Sequence, residues 1–504
     1  MQIEKKGIPL VVIIYEDQDE CFNQSARVNG VPCLRRVHVS RTRPGTEDAE
    51  RVIKPMFDAL TRPLTEKERE GGTWEAPDKR ILFEGTLQEA QEFYQQTETI
   101  PTLQSAPIAK YTDGLPIIVP TEELVEKMLK GTSRKPDEVI TFQTDHRFGN
   151  RIQDRTTVAA ADRRSNNRSV LMGNTGVKGE PVRYLPMKRR ATVEKVATIA
   201  VMAGCKPEYL PVVLALAESG GGCGDGRGKS GFVVSGPIAK QIGMNFDVGI
   251  LGPGNNANRS IGRAAELMWL NFGGAIPTVT NCAIFGKSLT NCIPENSEGL
   301  PPGWKGLNEE YGFKKNESAV MVLGGGNNGM GGMNLAPMMP GGYRAFQKTG
   351  HGAIARALDV KGIPGPHNLL EYLIPGFGKG GEGSHTYLML PELAYDLYRC
   401  GFKSKEEVYE WIWKRSVIPL KDYRNQSPAD IATAGWMGVE RTSGKHWREL
   451  PDDFMVHVGG ENPWSNCIVV SGGGEEALMW FAGRGASGMF GGGGDNAYGI
   501  DVWR

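Results

Sequence analysis

The chain has 504 residues, 39% of them hydrophobic, and balances 58 Lys and Arg against 58 Asp and Glu; it can build two or three cores, and it has no net field to draw nucleic acid or an anionic membrane. No apolar run approaches the ~20 residues of a membrane span and the apolar start lacks a signal-peptide cleavage region, so a cytoplasmic protein is expected. Eight cysteines without a CxxC pair argue against a disulfide framework and against zinc-finger spacing.

Residues 7–15, GIPLVVIIY, are continuously apolar and β-branched, as in a strand buried on both faces of a parallel sheet. Helical character over Asp17–Val28, a second strand over Leu34–Val39 and a helix over Glu47–Leu60 complete a partial α/β domain, residues 1–66. Two strands make a marginal sheet, so another segment or another polypeptide is expected to complete it. Residues 67–146 read as a charged linker followed by a small α/β module: strand-like Arg80–Phe83, a helix over Thr86–Thr97, the turn Tyr111–Pro116 with Asp113, then a helix capped by Thr121. Residues 147–190 are polar and arginine-rich, an extended arm that either grips a neighbouring subunit or stays solvated.

The main α/β body, residues 191–504, opens with the longest periodic signal. Thr192 caps a helix with Val193, Val196, Ala197, Ala200 and Val201 on one stripe, and Gly204 ends it. Pro207 starts an apolar partner helix that closes at Ser219–Gly222, an αα-hairpin with Cys205 in its corner. Sixty-seven glycines are about twice the usual share of roughly 7%. They cluster at 220–231, 324–332, 341–342, 376–383 and 472–494, as expected of functional loops on a scaffold. Phe232–Val234, Val320–Leu323 and Ile468–Val470 each run into a glycine turn, and the last is expected to lead into a helix over Glu475–Phe481. Helices are also expected over Ile261–Leu270, Tyr387–Arg399 and Lys405–Trp413. The repeated Val-Val-Ser-Gly suggests an internal duplication.

The strings GIPLVVI, QSARVNGVPCLRRVHVS, KYTDGLPIIVPTEELVEKMLKGT, MAGCKPEYLPVVLA and CIPENSE resemble UGSC-type proteins, a family related in its N-terminal part to the selenoprotein B subunits of glycine and betaine reductase. The resemblance implies thiol-based redox or bond-cleaving chemistry within a heteromeric enzyme. In that family the reactive selenocysteine or cysteine lies upstream of the GIP strand, so a second, smaller subunit supplying that part and carrying the redox group is expected. The family's Pro-His-Pro after the second strand is replaced here by Ser40–Arg43.

Several groups are candidates for chemistry. Cys292 and Glu295 are close enough for a nucleophile and an acid/base, with Cys205 a further thiol. His385 and His351, in glycine-rich surroundings, are candidate acid/base groups because an imidazole titrates near neutrality. Strand-to-glycine turns at Ser235 and Gly236, at Gly325 and Gly326, and at Ser471, Gly472 and Gly473 can aim backbone N–H groups at a small anionic substrate, joined by Arg263 and Asp113. Gly222–Ser230 misses P-loop spacing by one residue, and Gly324–Gly332 lacks the acidic residue on a second strand that a dinucleotide fingerprint carries, so no nucleotide cofactor is expected. Metal is not expected either; the pair His367 and Glu371 is the thin exception. The leading expectation is an enzyme subunit in a higher oligomer. A non-catalytic substrate-binding or scaffold subunit, and a lyase or hydrolase without a redox step, are the alternatives.

Overall fold

A computed structural model describes residues 8–15, 19–39, 46–72, 79–100, 106–144, 176–184, 187–220, 231–274, 276, 291–323, 336–337, 384–399, 401–426, 440, 443–457, 463–473, 479–484 and 496–504. It is a mixed α/β protein. The N-terminal unit is β1 (Val11–Tyr15), α1 (Asp19–Val28), β2 (Arg35–Val39) and α2 (Thr46–Thr61), with α3 (Glu66–Arg69) beyond. β1 and β2 pair in parallel, Val11 opposite Arg35, and among the described residues no third strand joins them. Ile14, Phe22, Ala26 and Leu34 form their small core. The 468–470 segment, one that could have completed this sheet, pairs instead with residues 387–389.

α4 (Leu87–Gln95) starts at a capping box in which Thr86 and Glu89 satisfy each other's backbone N–H. A short antiparallel pair, β3 (Thr97–Ile100) and β4 (Ala106–Ala109), and α5 (Glu122–Leu129) follow. Arg80–Phe83 is not a strand; Ile81 and Leu82 lie exposed, and among the described residues no strand pairs with them. Residues 117–142 are not a separate module in packing terms. Ile117, Val125, Met128, Ile140 and Phe142 share one core with α6 (Val193–Met202) and α7 (Leu210–Glu218). The end of the expected arm joins them, since Val182 and Tyr184 are buried there and Thr141 bridges Pro181. The α6–α7 hairpin is as the periodicity predicts, with Gly204 at φ 82° in the corner.

The body continues with β5 (Gly231–Ser235), α8 (Ile238–Gln241), α9 (Asn256–Asn271), β6 (Asn291–Pro294), α10 (Leu307–Glu310), β7 (Ala319–Leu323) and β8 (Ala336–Pro337). The second half is β9 (Ser384–Met389), α11 (Pro391–Arg399), α12 (Lys405–Arg415), β10 (Val417–Pro419), α13 (Leu420–Gln426), β11 (Met455–His457), β12 (Cys467–Val470), β13 (Met479–Arg484) and β14 (Asn496–Gly499). Two sequence expectations change here. Tyr387 lies in a strand, because the helix begins only where Pro391 suits a first turn. Met479–Arg484 is a strand pairing with β9, so the expected helix over Glu475–Phe481 does not extend through Phe481.

Two four-stranded sheets result, in the orders β14-β7-β5-β6 and β12-β9-β13-β8. They share one plan. A central strand (β5 or β9) has a parallel neighbour at the edge (β6 or β12), reached through helices, and an antiparallel neighbour on the other side (β7 or β13). Each half then sends its last strand into the other sheet, β8 to β13 and β14 to β7. The topology therefore repeats, although not through the Val-Val-Ser-Gly match: that pairs central β5 with edge β12, which hold unlike positions.

Side chains alternate accordingly. Val233, Ile293, Met321 and Ala497 of the first sheet meet Leu388, Cys467 and Val469 of the second in one core. The outer faces pack on helices. Phe232, Val234, Cys292 and Val320 lie against α6, α7 and α9, while Tyr387, Met389, Ile468 and Val470 lie against α11 and α12. The order is helix, sheet, sheet, helix. Among the described residues no helix is long and apolar enough to cross a membrane.

Candidate functional site

The C-terminal ends of the two edge strands meet. Ser471 Oγ donates to Pro294 O at 2.6 Å and Asn296 N to Val470 O at 2.8 Å, which sets Glu295 between the sheets. Lys405 comes from the first turn of α12, on the stripe Lys405, Val408, Tyr409, Ile412 that faces inward. Its Nζ lies 2.8 Å from Glu295 Oε1 and 3.3 Å from Glu310 Oε1, with every side chain of the trio at most 1% exposed. Burial alone would lower the lysine's affinity for its proton. The charges of Glu295 and Glu310 and the hydrogen bond to Glu295 outweigh it, and the ammonium is held well above the ordinary lysine range.

The remaining acceptors are occupied as well. Glu295 Oε2 accepts from Ser235 Oγ and from Leu307 N, both at 2.6 Å. Ser235 Oγ lies 2.9 Å from Asn308 Oδ1 and accepts from Asn308 N at 3.1 Å. Tyr409 Oη donates to Glu310 and accepts from Ile468 N at 3.0 Å. This cluster ties β5, β6, α10, α12 and β12 together. Glu295 and Ser235 belong to it, and with both carboxylate oxygens engaged inside a dry core Glu295 holds the sheets in place and offers no base to a substrate.

The thiols are also interior. Cys292 is fully buried on the helix-facing side of β6, and burial, with Cys205 nearby, pushes its thiol far up. Burial raises Cys205 to about 12, only partly countered by a hydrogen bond with Ser260. Neither forms a thiolate near neutral pH, and the nucleophile-and-base pairing of Cys292 with Glu295 does not occur: Cys292 faces the helices, while Glu295 lies between the sheets.

Asp113 and Arg263 find each other. Arg263 Nε and Nη2 bind the two Asp113 oxygens at 2.8 Å each, and Nη2 also donates to Pro116 O at 2.9 Å, a fork that fastens the 111–116 turn to α9. The glycine turns are spent similarly. Ser471 N donates to Met389 O and Gly472 N to Phe246 O, so these two N–H groups serve the fold rather than an anion. Gly473 allows close approach, since a Cβ there would lie 1.9 Å from Asp247 Oδ1. Gly236 has φ 100° and the backbone of Glu317 against it.

The other ends of the sheets differ. The N-terminal ends of β5, β6 and β14 and the C-terminal end of β7 lie together. In the second sheet the N-terminal end of β9 and the C-terminal end of β13 do the same, opposite the end where β12 meets β6. Glycine clusters 220–231, 324–332 and 376–383, and the part of 472–494 beyond Arg484, adjoin these strand ends in the sequence. His385 sits here as the second residue of β9, paired with Gly483. His351, Gly325, Gly326, His367 and Glu371 lie outside the described residues. Among the described residues no group of three or more His, Cys, Asp or Glu could hold a metal ion.

Sequence reasoning missed Lys405, Glu310, Asn308 and Tyr409. Ser404-Lys-Glu-Glu reads as a solvated helix start; the available signal was that Lys405 occupies the apolar stripe of Val408, Tyr409 and Ile412. A helix, sheet, sheet, helix body with a sealed charge cluster at one end, and at the other the strand ends that glycine clusters adjoin in the sequence, is the class of protein that fold and site define. No family model, no curated protein and no solved structure matches the chain.

Proposed function

We propose that this chain is a subunit of an enzyme that cleaves a bond in a small polar substrate by acid–base chemistry, with His385 as the acid/base group. The observation that carries this is the gathering, on the sheet ends away from the Lys405 cluster, of the strand termini that adjoin the glycine clusters, with His385 among them. Backbone can approach a ligand closely at glycine, and ligands are taken up where connections between rigid strands come together. The same reading sets aside Cys205 and Cys292 as the chemical groups, because their thiols stay protonated in the core. It thus favours the lyase or hydrolase alternative over thiol redox on this chain.

Thermal-shift screening of the full chain against small carboxylates, amines and hydroxy acids tests it. A ligand at 100 times its Kd stabilises by about 2.7 kcal/mol. A stabilising compound whose effect is lost in His385→Ala, and which the wild type turns over, is expected. Binding and turnover both unchanged by His385→Ala would overturn it. A second reading, a non-catalytic scaffold subunit, is favoured by the placement of both candidate thiols in dry core; binding without turnover would select it.

A further inference from the structure

The two arginines that open β2 are used differently. Arg35 is buried on the α2 face of the β1–β2 sheet, with Nε on Glu68, Nη1 on the carbonyl oxygens of Ala59 and Arg62, and Nη2 on Pro63 O and Glu68. Every nitrogen is engaged, and its task is to hold α2 and α3. Arg36 and His38 alternate onto the opposite face with Val12 and Ile14, against α1. There they converge on Asp19, the first residue of α1. Arg36 Nε lies 2.7 Å and His38 Nε2 3.0 Å from the same oxygen, Asp19 Oδ1. Arg36 Nη1 donates to Asn23 Oδ1 at 2.9 Å, and the guanidinium carbon sits 5.0 Å from the centre of the Phe22 ring. A carboxylate only accepts, so Nε2 carries the imidazole proton and Nδ1 keeps its lone pair. Among the described residues His38 Nδ1 and Arg36 Nη2 have no partner, and the two side chains are 38% and 28% exposed.

We propose that His38 and Arg36, positioned by Asp19, form a second ligand site, separate from the sheet ends that hold His385, and that it takes a small α-hydroxy carboxylate. His38 is the fourth of the five residues of β2 and Asp19 opens α1, which puts the group at the carboxyl ends of two parallel strands. Open α/β sheets take up small molecules at that end. The two unengaged atoms set what fits. Arg36 Nη2 is a charged donor and binds a carboxylate oxygen, while His38 Nδ1 is an acceptor and takes the hydrogen of a hydroxyl. Both nitrogens of the pair meet one Asp19 oxygen, so imidazole and guanidinium are neighbours and a ligand that carries hydroxyl and carboxylate on adjacent carbons can reach both. An ammonium in place of the hydroxyl would face the guanidinium charge, so amino acids bind less well. Asp19, Asn23 and Phe22 already hold the two side chains, and little ordering is left to be done when the ligand arrives.

Nitrogen-detected imidazole NMR of the full chain, labelled at histidine, tests the proposal with glycolate as the probe and acetate, glycine and ethylene glycol as controls; His38→Gln identifies the resonance. Glycolate is expected to shift His38 Nδ1 saturably in the millimolar range, acetate and glycine to bind about tenfold more weakly or worse, and ethylene glycol to have no effect. Arg36→Gln should weaken glycolate binding by about tenfold. Asp19→Asn should weaken it to a similar degree and also change the balance of the two His38 tautomers before any ligand is added, which a merely structural ion pair would not couple to binding. His385→Ala should leave the titration unchanged. The comparison of the four probes is made on the wild type and stands even where a substitution loosens the N-terminal unit. No saturable shift up to tens of millimolar glycolate, acetate or glycine binding as tightly as glycolate, binding lost in His385→Ala, or binding that survives both Arg36→Gln and Asp19→Asn would each overturn it.

Discussion

Lys405 Nζ lies 2.8 Å from Glu295 Oε1 across the junction of β6 and α12, in a site that admits no solvent. Removing the ammonium would leave two buried carboxylates facing each other. Lys405→Met is therefore expected to cost about 3–5 kcal/mol, the usual consequence of breaking one side of a buried pair. Lys414→Met, which breaks the exposed pair with Glu410, is expected to cost no more than about 0.5 kcal/mol. Urea denaturation of the two variants checks the contrast; similar midpoints would show that the cluster does not hold the sheets.

The buried thiols give a second expectation. Alkylation requires a thiolate, and Cys205 and Cys292 are held protonated by burial while Cys33 is half-exposed. In the native chain at pH 8, Cys33 should react with iodoacetamide and Cys205 and Cys292 should not, becoming reactive only on unfolding. Peptide mass mapping reads this directly. Prompt native labelling of Cys292 would return it to the list of nucleophiles.

How much of this was legible follows from which interactions are local. The α6–α7 hairpin and Gly204 were readable, because 3.6-residue periodicity and a left-handed glycine need only the chain itself. Tyr387 was misread because its strand is too short and mixed for a period, and only the ladder to Cys467–Val470 and Met479–Arg484 fixes it. Ser235 and Glu295 could be singled out, but not their partners. Lys405 is 110 residues from Glu295, and nothing in either local string states that the two sheets bring them together. Arg263 and Asp113, both read as anion-binding candidates, satisfy each other over a separation of 150 residues.

A pH dependence is expected in the N-terminal unit. Hydrogen bonds from Arg35 first, then from Arg62 and from the Thr65 backbone, hold the Glu68 carboxyl far below its ordinary range. A carboxylate depressed in the folded state contributes stability that is present above its unfolded value, about 4.3, and is lost as pH falls below it. Acid should therefore loosen the contact between β2 and α3. Protection of residues 35–39 from hydrogen exchange, taken relative to the intrinsic rate at each pH, should fall in wild type between about pH 5 and pH 3, and Glu68→Gln should show the lowered protection already at pH 7. Exchange insensitive to both changes would refute the role.

The last expectation concerns Gly236, where the chain leaves β5 beside the cluster. Its φ of 100° lies in a region that costs an L-residue roughly 1–2 kcal/mol. A Cβ there would also lie 2.4 Å from Glu317 O and 2.8 Å from Ser318 Cα, so the added methyl meets backbone on the neighbouring segment. Neither neighbour can move freely: Glu317 O accepts from Asn308 Nδ2 at 2.7 Å, and Ser318 Oγ accepts from Ile238 N at 3.1 Å. Asn308 in turn contacts Ser235, so displacement passes into the Glu295–Lys405 cluster. Gly236→Ala should therefore cost about 3 kcal/mol or more, well beyond the conformational term. Gly114→Ala, at a similar φ of 84° but with open space around its Cβ, should cost only about 1 kcal/mol. Calorimetric melting of the pair separates the two contributions, and equal losses would mean that the close approach to Glu317 does not constrain the strand end.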